Sequence, residues 1–127
     1  MIGRRELRSK NSWLHNVPAM MKGPERCTLL VHPEDAARFG LIEGSRAIVR
    51  SEIGEVVAPV EISDEMLPGV VSLPHGWGHS VEGVRLGVAA QRPGVPSNFL
   101  AATGPVDAPS GNAVLTGFEV RIEAADR

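Results

Sequence analysis

Cys27-Thr28-Leu29-Leu30-Val31-His32 opens the stretch that decides the fold, and Pro33-Glu34-Asp35-Ala36-Ala37-Arg38-Phe39 and Gly40-Leu41-Ile42-Glu43-Gly44 follow it. The first run is rich in β-forming residues and ends at a proline, so it predicts a strand. The second predicts a short helix: Pro33 sits in the first turn, where no N–H partner exists to lose, and Glu34 and Asp35 favour the positive end of the dipole. Gly40 stops it, and Gly44 suits a turn position needing positive φ. Arg46-Ala47-Ile48-Val49-Arg50 and Glu55-Val56-Val57-Ala58-Pro59-Val60-Glu61-Ile62 then read as two strands around Glu52-Ile53-Gly54, a hairpin.

Beyond this stretch the strands stay short. Ser63 to Leu67 predicts one capped helical turn, and Val70-Val71-Ser72-Leu73 another strand. Asn112 to Leu115 and Phe118 to Ile122 predict two last strands flanking Thr116-Gly117. Between them, Pro74 to Pro109 is rich in Gly, Pro and polar residues. A loop of that length inside a compact domain is uncommon and usually functional. Before Cys27, Arg4 to Pro24 has no sustained period and contains Pro18, Gly23 and Pro24, which predicts an irregular arm. The class expected is mainly β: about six strands in a small barrel, with one or two short helices. The alternation of strand and long helix that builds a doubly wound sheet is absent.

Composition agrees. The 127 residues allow a single domain, read here as an arm over 1–26 and a barrel over 27–127. Hydrophobic residues make 43% and charged residues 22%, the balance of an ordinary globular chain. Gly and Pro together supply about a fifth of it, which favours turns over long helices. One cysteine, Cys27, excludes an intrachain disulfide and any cysteine-built cluster from this chain alone. No apolar run is long enough to span a membrane, and no signal-peptide pattern opens the chain, so no membrane insertion and a cytoplasmic location are expected. Residues 1–26 carry six basic groups against two acids, and the remainder seven against thirteen. A basic arm ahead of an acidic body meets something anionic: its own body, a phosphate or nucleic acid. Nucleic acid is the poorest of these, because the chain is mildly acidic overall and has five aromatic residues for base stacking.

Chemistry-bearing residues concentrate in three places. Asn11-Ser12-Trp13-Leu14-His15-Asn16 places five polar or amphipathic side chains around one leucine, directly after the basic run; buried, each would need a partner. Polar donors, an aromatic face and cations such as Arg8 together suit a flat, polar, anionic ligand. Pro74-His75-Gly76-Trp77-Gly78-His79 is the second. His75 and His79 have a metal-ligand spacing only if helical, and Gly76 and Gly78 make a helix poor there. A loop whose glycines admit a ligand to backbone N–H groups, with Trp77 as a stacking face, is one reading; a turn capped by a buried Trp77 is the other. The third comprises Asn98 and Asp107, which taken alone are turn formers. Phosphate-loop, dinucleotide-fingerprint and nucleophile-elbow patterns are absent.

Taken in order, Arg5 to Arg8, Asn11 to Asn16, His32 to Ala36, Gly40 to Gly44, Pro68 to His79 and Ser110-Gly111 resemble one domain. It is the C-terminal molybdopterin-dinucleotide-binding domain of molybdenum and tungsten oxidoreductases, the superfamily of formate dehydrogenases, nitrate reductases and dimethyl sulfoxide reductase. The resemblance covers about Gly3 to Ile122, and the Asn11–Asn16 and Pro74–His79 runs are closest to the formate-dehydrogenase-like branch. It implies a six-stranded double-psi β-barrel that binds molybdopterin guanine dinucleotide. It also implies cofactor contacts from Arg8, Asn11, Ser12, His15, Asn16, His75, Gly76, Trp77, Gly78, Asn98 and Asp107. Metal ligands, whether for molybdenum or tungsten, come in the family from other domains, so this chain is expected to be a piece of a larger oxidoreductase, redox-inactive alone and partnered by the remaining domains. The alternative is a small barrel serving as a protein- or nucleic-acid-interaction module, since such barrels host many functions.

Overall fold

The structure, a computed structural model, describes residues 1–102, 104 and 106–125. Its centre is the stretch quoted above. β2 (Leu29–Val31) leads into α1 (Pro33–Phe39), then β3 (Arg46–Arg50) and β4 (Glu55–Ile62). These follow the sequence expectation, and the local causes are visible. His32 Nδ1 accepts from the Glu34 N–H at 3.2 Å, capping α1, and Gly40 closes the helix in the left-handed region at φ 65°. Asp35, buried in the first turn, accepts from the Gly69 N–H and ties the helix to the turn before the next strand.

β1 (Ile2–Arg4), β5 (Val71–Pro74) and β6 (Arg121–Ala124) complete one mixed, six-stranded sheet in the order β1-β5-β2-β4-β3-β6. β1 runs parallel to β5, and β2 parallel to β4; the other neighbours are antiparallel. Val56, Ala58 and Val60 alternate inward along β4, opposite Ala47 and Val49 of β3. With Leu29, Val31, Leu41, Val71, Leu73 and Leu100 they form the main core. β5 is buried along its whole length and delivers the chain directly into His75.

Four expectations need correction. β1 lies at the start of the 1–26 arm, where no strand was expected, and reaches the irregular stretch only at Arg4; Ile2-Gly3-Arg4 carries no strand pattern and is ordered by pairing with β5. Ser63 to Leu67 is a hydrogen-bonded turn rather than a helix. Asn112–Leu115 is no strand: it makes one isolated bridge, Val106 with Ala113, and leaves Val114 and Leu115 exposed because no apolar layer covers them. The last strand begins three residues later than expected, at Arg121. Among the described residues no ladder joins the edge strands β1 and β6. Gly117, at φ 79°, turns the chain ahead of β6, at the Thr116-Gly117 position the sequence places between strands. The loop ahead of β6 meets β1 through Phe118 O with the Met1 amine, Gly117 N with Met1 O, and Thr116 Oγ1 with Gly3 N.

Candidate functional site

The arm and the 75–96 loop are laid on each other beside the sheet. Arg4, at the end of β1, anchors the arm by donating to Ser72 O at 2.8 Å, Thr28 Oγ1 at 2.9 Å and Arg26 O at 3.2 Å. Successive turns then carry residues 7–16 across His75 and Gly76. Asn11 is left-handed at φ 63°, a conformation asparagine tolerates better than most residues. Its side chain meets Arg5 Nη1 at 2.8 Å and His75 Nε2 at 3.0 Å through one atom. A guanidinium only donates, so that atom is the amide oxygen, and His75 carries its proton on Nε2. The Asn11 NH2 is thereby turned to other acceptors. Gly76, at φ 88°, lies so close to the arm that a Cβ would stand 2.2 Å from Asn11 O and 3.2 Å from Ser12 N. Asn11, Ser12, His75 and Gly76 are thus one constellation, with Arg5 at its exposed rim.

His15 and Trp77 point the other way. His15 is 0% and Trp77 6% exposed. Their rings stack at 3.9 Å, and His15 Nδ1 lies 2.7 Å from Nε2 of His79, which is also buried. Trp77, Met21 and Cys27 form a second, small core between arm and loop. The buried-tryptophan reading describes this ring. Among the described residues, four buried atoms here have no hydrogen-bond partner: His15 Nε2, Trp77 Nε1, Ser9 Oγ and Arg26 Nη1. Burial first, then His79 and Arg26, hold the His15 imidazole down to about 4, against the opposing effect of the Gly76 carbonyl. Burial also lowers His79. The Cys27 thiol is pushed up to about 11, chiefly by burial, and takes a place in the core rather than in any reaction.

Several candidates serve the docking itself. Asn16 Oδ1 accepts from Val88 N at 3.0 Å and Ala89 N at 3.3 Å, at the start of a 3-10 turn over Ala89–Gln91. Gly78 donates to Pro93 O and, at φ 113°, packs against Pro96. Arg8, exposed, donates to Ala19 O at 2.8 Å. Asn98 lies exposed on a 3-10 turn, Ser97–Leu100, that packs on β4. Asp107 is exposed in a turn where the Ser110 hydroxyl and N–H hold its carboxyl below the usual range. No hydrogen bond among the described residues ties either to the Asn11–His75 constellation. His75 and His79 bind different partners, and among the described residues no group of three or more His, Cys, Asp or Glu is placed to hold a metal. Two clefts of about 630 and 620 Å³ lie elsewhere, against Arg50–Ile53 and against Arg38–Phe39, each walled by the Phe118–Arg121 segment. Neither contains a candidate residue. His79, Ser9 and Arg26 were absent from the sequence-derived site; only His79 left a signal there, through its spacing from His75.

Residues 1–113 match the family described as the molydopterin dinucleotide binding domain. The chain belongs to that family. It is 32% identical over 110 residues to a tetrathionate reductase subunit of Salmonella typhimurium, covering 73% of this chain and 11% of that protein. It is 36% identical over 86 residues to a nitrate reductase of Klebsiella oxytoca, covering 68% of this chain and 9% of that protein. The chain therefore spans about a tenth of the length of these relatives. Acetylene hydratase from Pelobacter acetylenicus shares the fold, with a TM-score of 0.74 over 98% of this chain and 18% of that one, at 19% identity.

The cofactor of this dinucleotide-binding domain is molybdopterin guanine dinucleotide. The exposed constellation fits such a group. Arg5 supplies charge and Asn11 an NH2 that has no hydrogen-bond partner among the described residues.

Proposed function

We propose that the face formed by Asn11, Ser12, His75 and Gly76, with Arg5, Arg8 and Gly78 around it, is where this domain meets its cofactor. The observation that carries this reading is the shared Asn11 oxygen. Two cationic or N–H groups converge on it, and the Asn11 amide is left to donate outward. Asn16, buried His15 and buried Trp77 support that face from behind. Asn98 and Asp107 belong to the site only where further cofactor-bearing structure reaches them. The cofactor, when bound, supplies the redox chemistry; these residues bind and orient it.

The same reading makes the chain part of a longer molybdenum-dependent oxidoreductase, with residues 1–26 as the cofactor-facing arm. Leu7 and Trp13, 95% and 78% exposed, support an arm whose outer face packs on the remaining domains. The formate-dehydrogenase-like branch rests on the Asn11–Asn16 and Pro74–His79 runs. Closure as a double-psi barrel is supported by the two parallel strand pairs and by the bonds from Met1 and Gly3 to the loop ahead of β6. No helix among the described residues is long and apolar enough to cross a membrane.

The test is calorimetry of this chain with guanosine diphosphate, paired with pterin and molybdenum analysis of the longer enzyme carrying Asn11→Ala or His75→Ala. Weak, salt-sensitive binding is expected, since exposed charge contacts are screened. Both variants should lose cofactor while circular dichroism stays unchanged. Full loading in both would remove these residues from the site.

A further inference from the structure

We propose that His15 is a positioning residue: hydrogen-bonded to His79 and stacked on Trp77, its imidazole is the latch that holds the arm against the 75–79 loop. The proposal rests on the cofactor-facing reading of Asn11 and His75, because it explains how their alignment is maintained.

Among the described residues three attachments join residues 11–16 to the loop, while Arg92 donates to Met21 O and Gly23 O further along the arm. Asn11 to His75 and Asn16 to Val88 are exposed to water, and the longer bond from Asn16 to Ala89 is part-buried. His15 to His79 is buried. Water competes for the first two and cannot reach the third, so the buried bond has no substitute when it is lost. At 2.7 Å, Nδ1 of His15 and Nε2 of His79 need one hydrogen between them: one nitrogen donates and the other offers a lone pair. Two neutral rings satisfy that, and two imidazoliums cannot.

The surroundings favour the neutral pair. The groups acting on His15 are His79, the Arg26 guanidinium and the Gly76 carbonyl, with the Trp77 face beneath the ring. Arg26 in turn lies near Arg8, Arg92, Glu6 and Glu25. Among the described residues no carboxylate acts on His15 itself, so nothing there compensates a second proton. The latch is therefore closed at neutral pH, keeps its hydrogen bond with one added proton, and opens in acid when both rings are charged, releasing the Asn11–Ser12 peptide from Gly76.

Amide hydrogen exchange on this chain without cofactor tests the latch. His15→Phe keeps an aromatic ring for Trp77 and removes the bond; His79→Leu removes it from the other side. Both should lower the protection of the amides at positions 14 and 15 about tenfold at pH 7, leaving β3 and β4 unchanged. His79→Gln, which can donate or accept, should stay within about threefold of the parent. Moving the parent chain from pH 7 to pH 4 should loosen the arm in the same direction, and His15→Phe should lose that pH response. If His15→Phe does not fold, the parent titration and His79→Leu carry the test. Arm protection unaffected by the substitutions, or a pH response that survives in them, overturns the latch. None of these readouts involves the cofactor, so failure of the Asn11 and His75 assignment appears separately, in the calorimetry and loading measurements.

Discussion

His15 ties local chemistry to the stability of the whole chain. Its ring is held down to about 4, mainly by burial, against an unfolded value near 6.5. Between those two values the unfolded chain binds the proton and the folded chain does not, so stability is complete above about pH 6.5 and falls as pH drops toward 4. His79, lowered by burial, adds in the same direction. The His15 contribution is on the order of 3 kcal/mol across that window. Urea unfolding of the parent at pH 7 and pH 4.5 should show the loss, and His15→Phe should reduce the difference. Carboxylate titration remains in both proteins and cancels in the comparison. An unchanged difference in His15→Phe would assign the acid sensitivity to other groups.

At the scale of elements, the arm and the loop fit only because one residue lacks a side chain. A Cβ at Gly76 would stand 2.2 Å from Asn11 O and 2.6 Å from Asn11 C, both backbone atoms that cannot swing aside, and φ is 88° there. Gly83 has a similar φ of 90° and open space around it. Gly83→Ala should therefore cost only the backbone strain, about 1–2 kcal/mol at most. Gly76→Ala should cost more and should separate the arm from the loop. Trp77 fluorescence, shifted to the red as its cover lifts, checks this in the same experiment as the unfolding midpoint. Equal effects from the two substitutions would mean that the close approach does not constrain the arm.

Across the molecule, Arg4 links three parts that are distant in sequence: the arm, β5 and the start of β2. Its guanidinium donates to Ser72 O, Arg26 O and Thr28 Oγ1, and pairs with Glu6 at 3.3 Å. Thr28 passes the contact on, donating to Glu61 Oε2 at 2.6 Å on β4. Arg4→Ala should destabilise the chain by at least about 2 kcal/mol, since several acceptors lose a charged donor together. Arg4→Lys should recover little, because one ammonium cannot span acceptors on different elements. Urea midpoints of the three proteins decide it; full recovery by lysine would reduce Arg4 to a charge.

β2, α1, β3 and β4 were legible in the sequence because their causes are local: alternating apolar residues, Pro33 and the acids at the helix start, Gly40 and Gly44 at turns. The family was legible too, since the ordered motifs from Arg5 to Gly111 belong to the span the family match covers. β1 was not, because its three residues become a strand only beside β5. Nor was the way the sheet edges meet, because the bonds from Met1 and Gly3 to residues 116–118 join parts of the chain far apart in sequence. The division of labour among the polar candidates was equally invisible in one dimension. Asn11 and His15 stand four residues apart in one motif, yet one faces solvent and the other is sealed under Trp77 and His79. Composition reports which side chains can hydrogen-bond. Which of them spend that capacity inside the protein depends on what folds against them, and only the packing of arm on loop settles it.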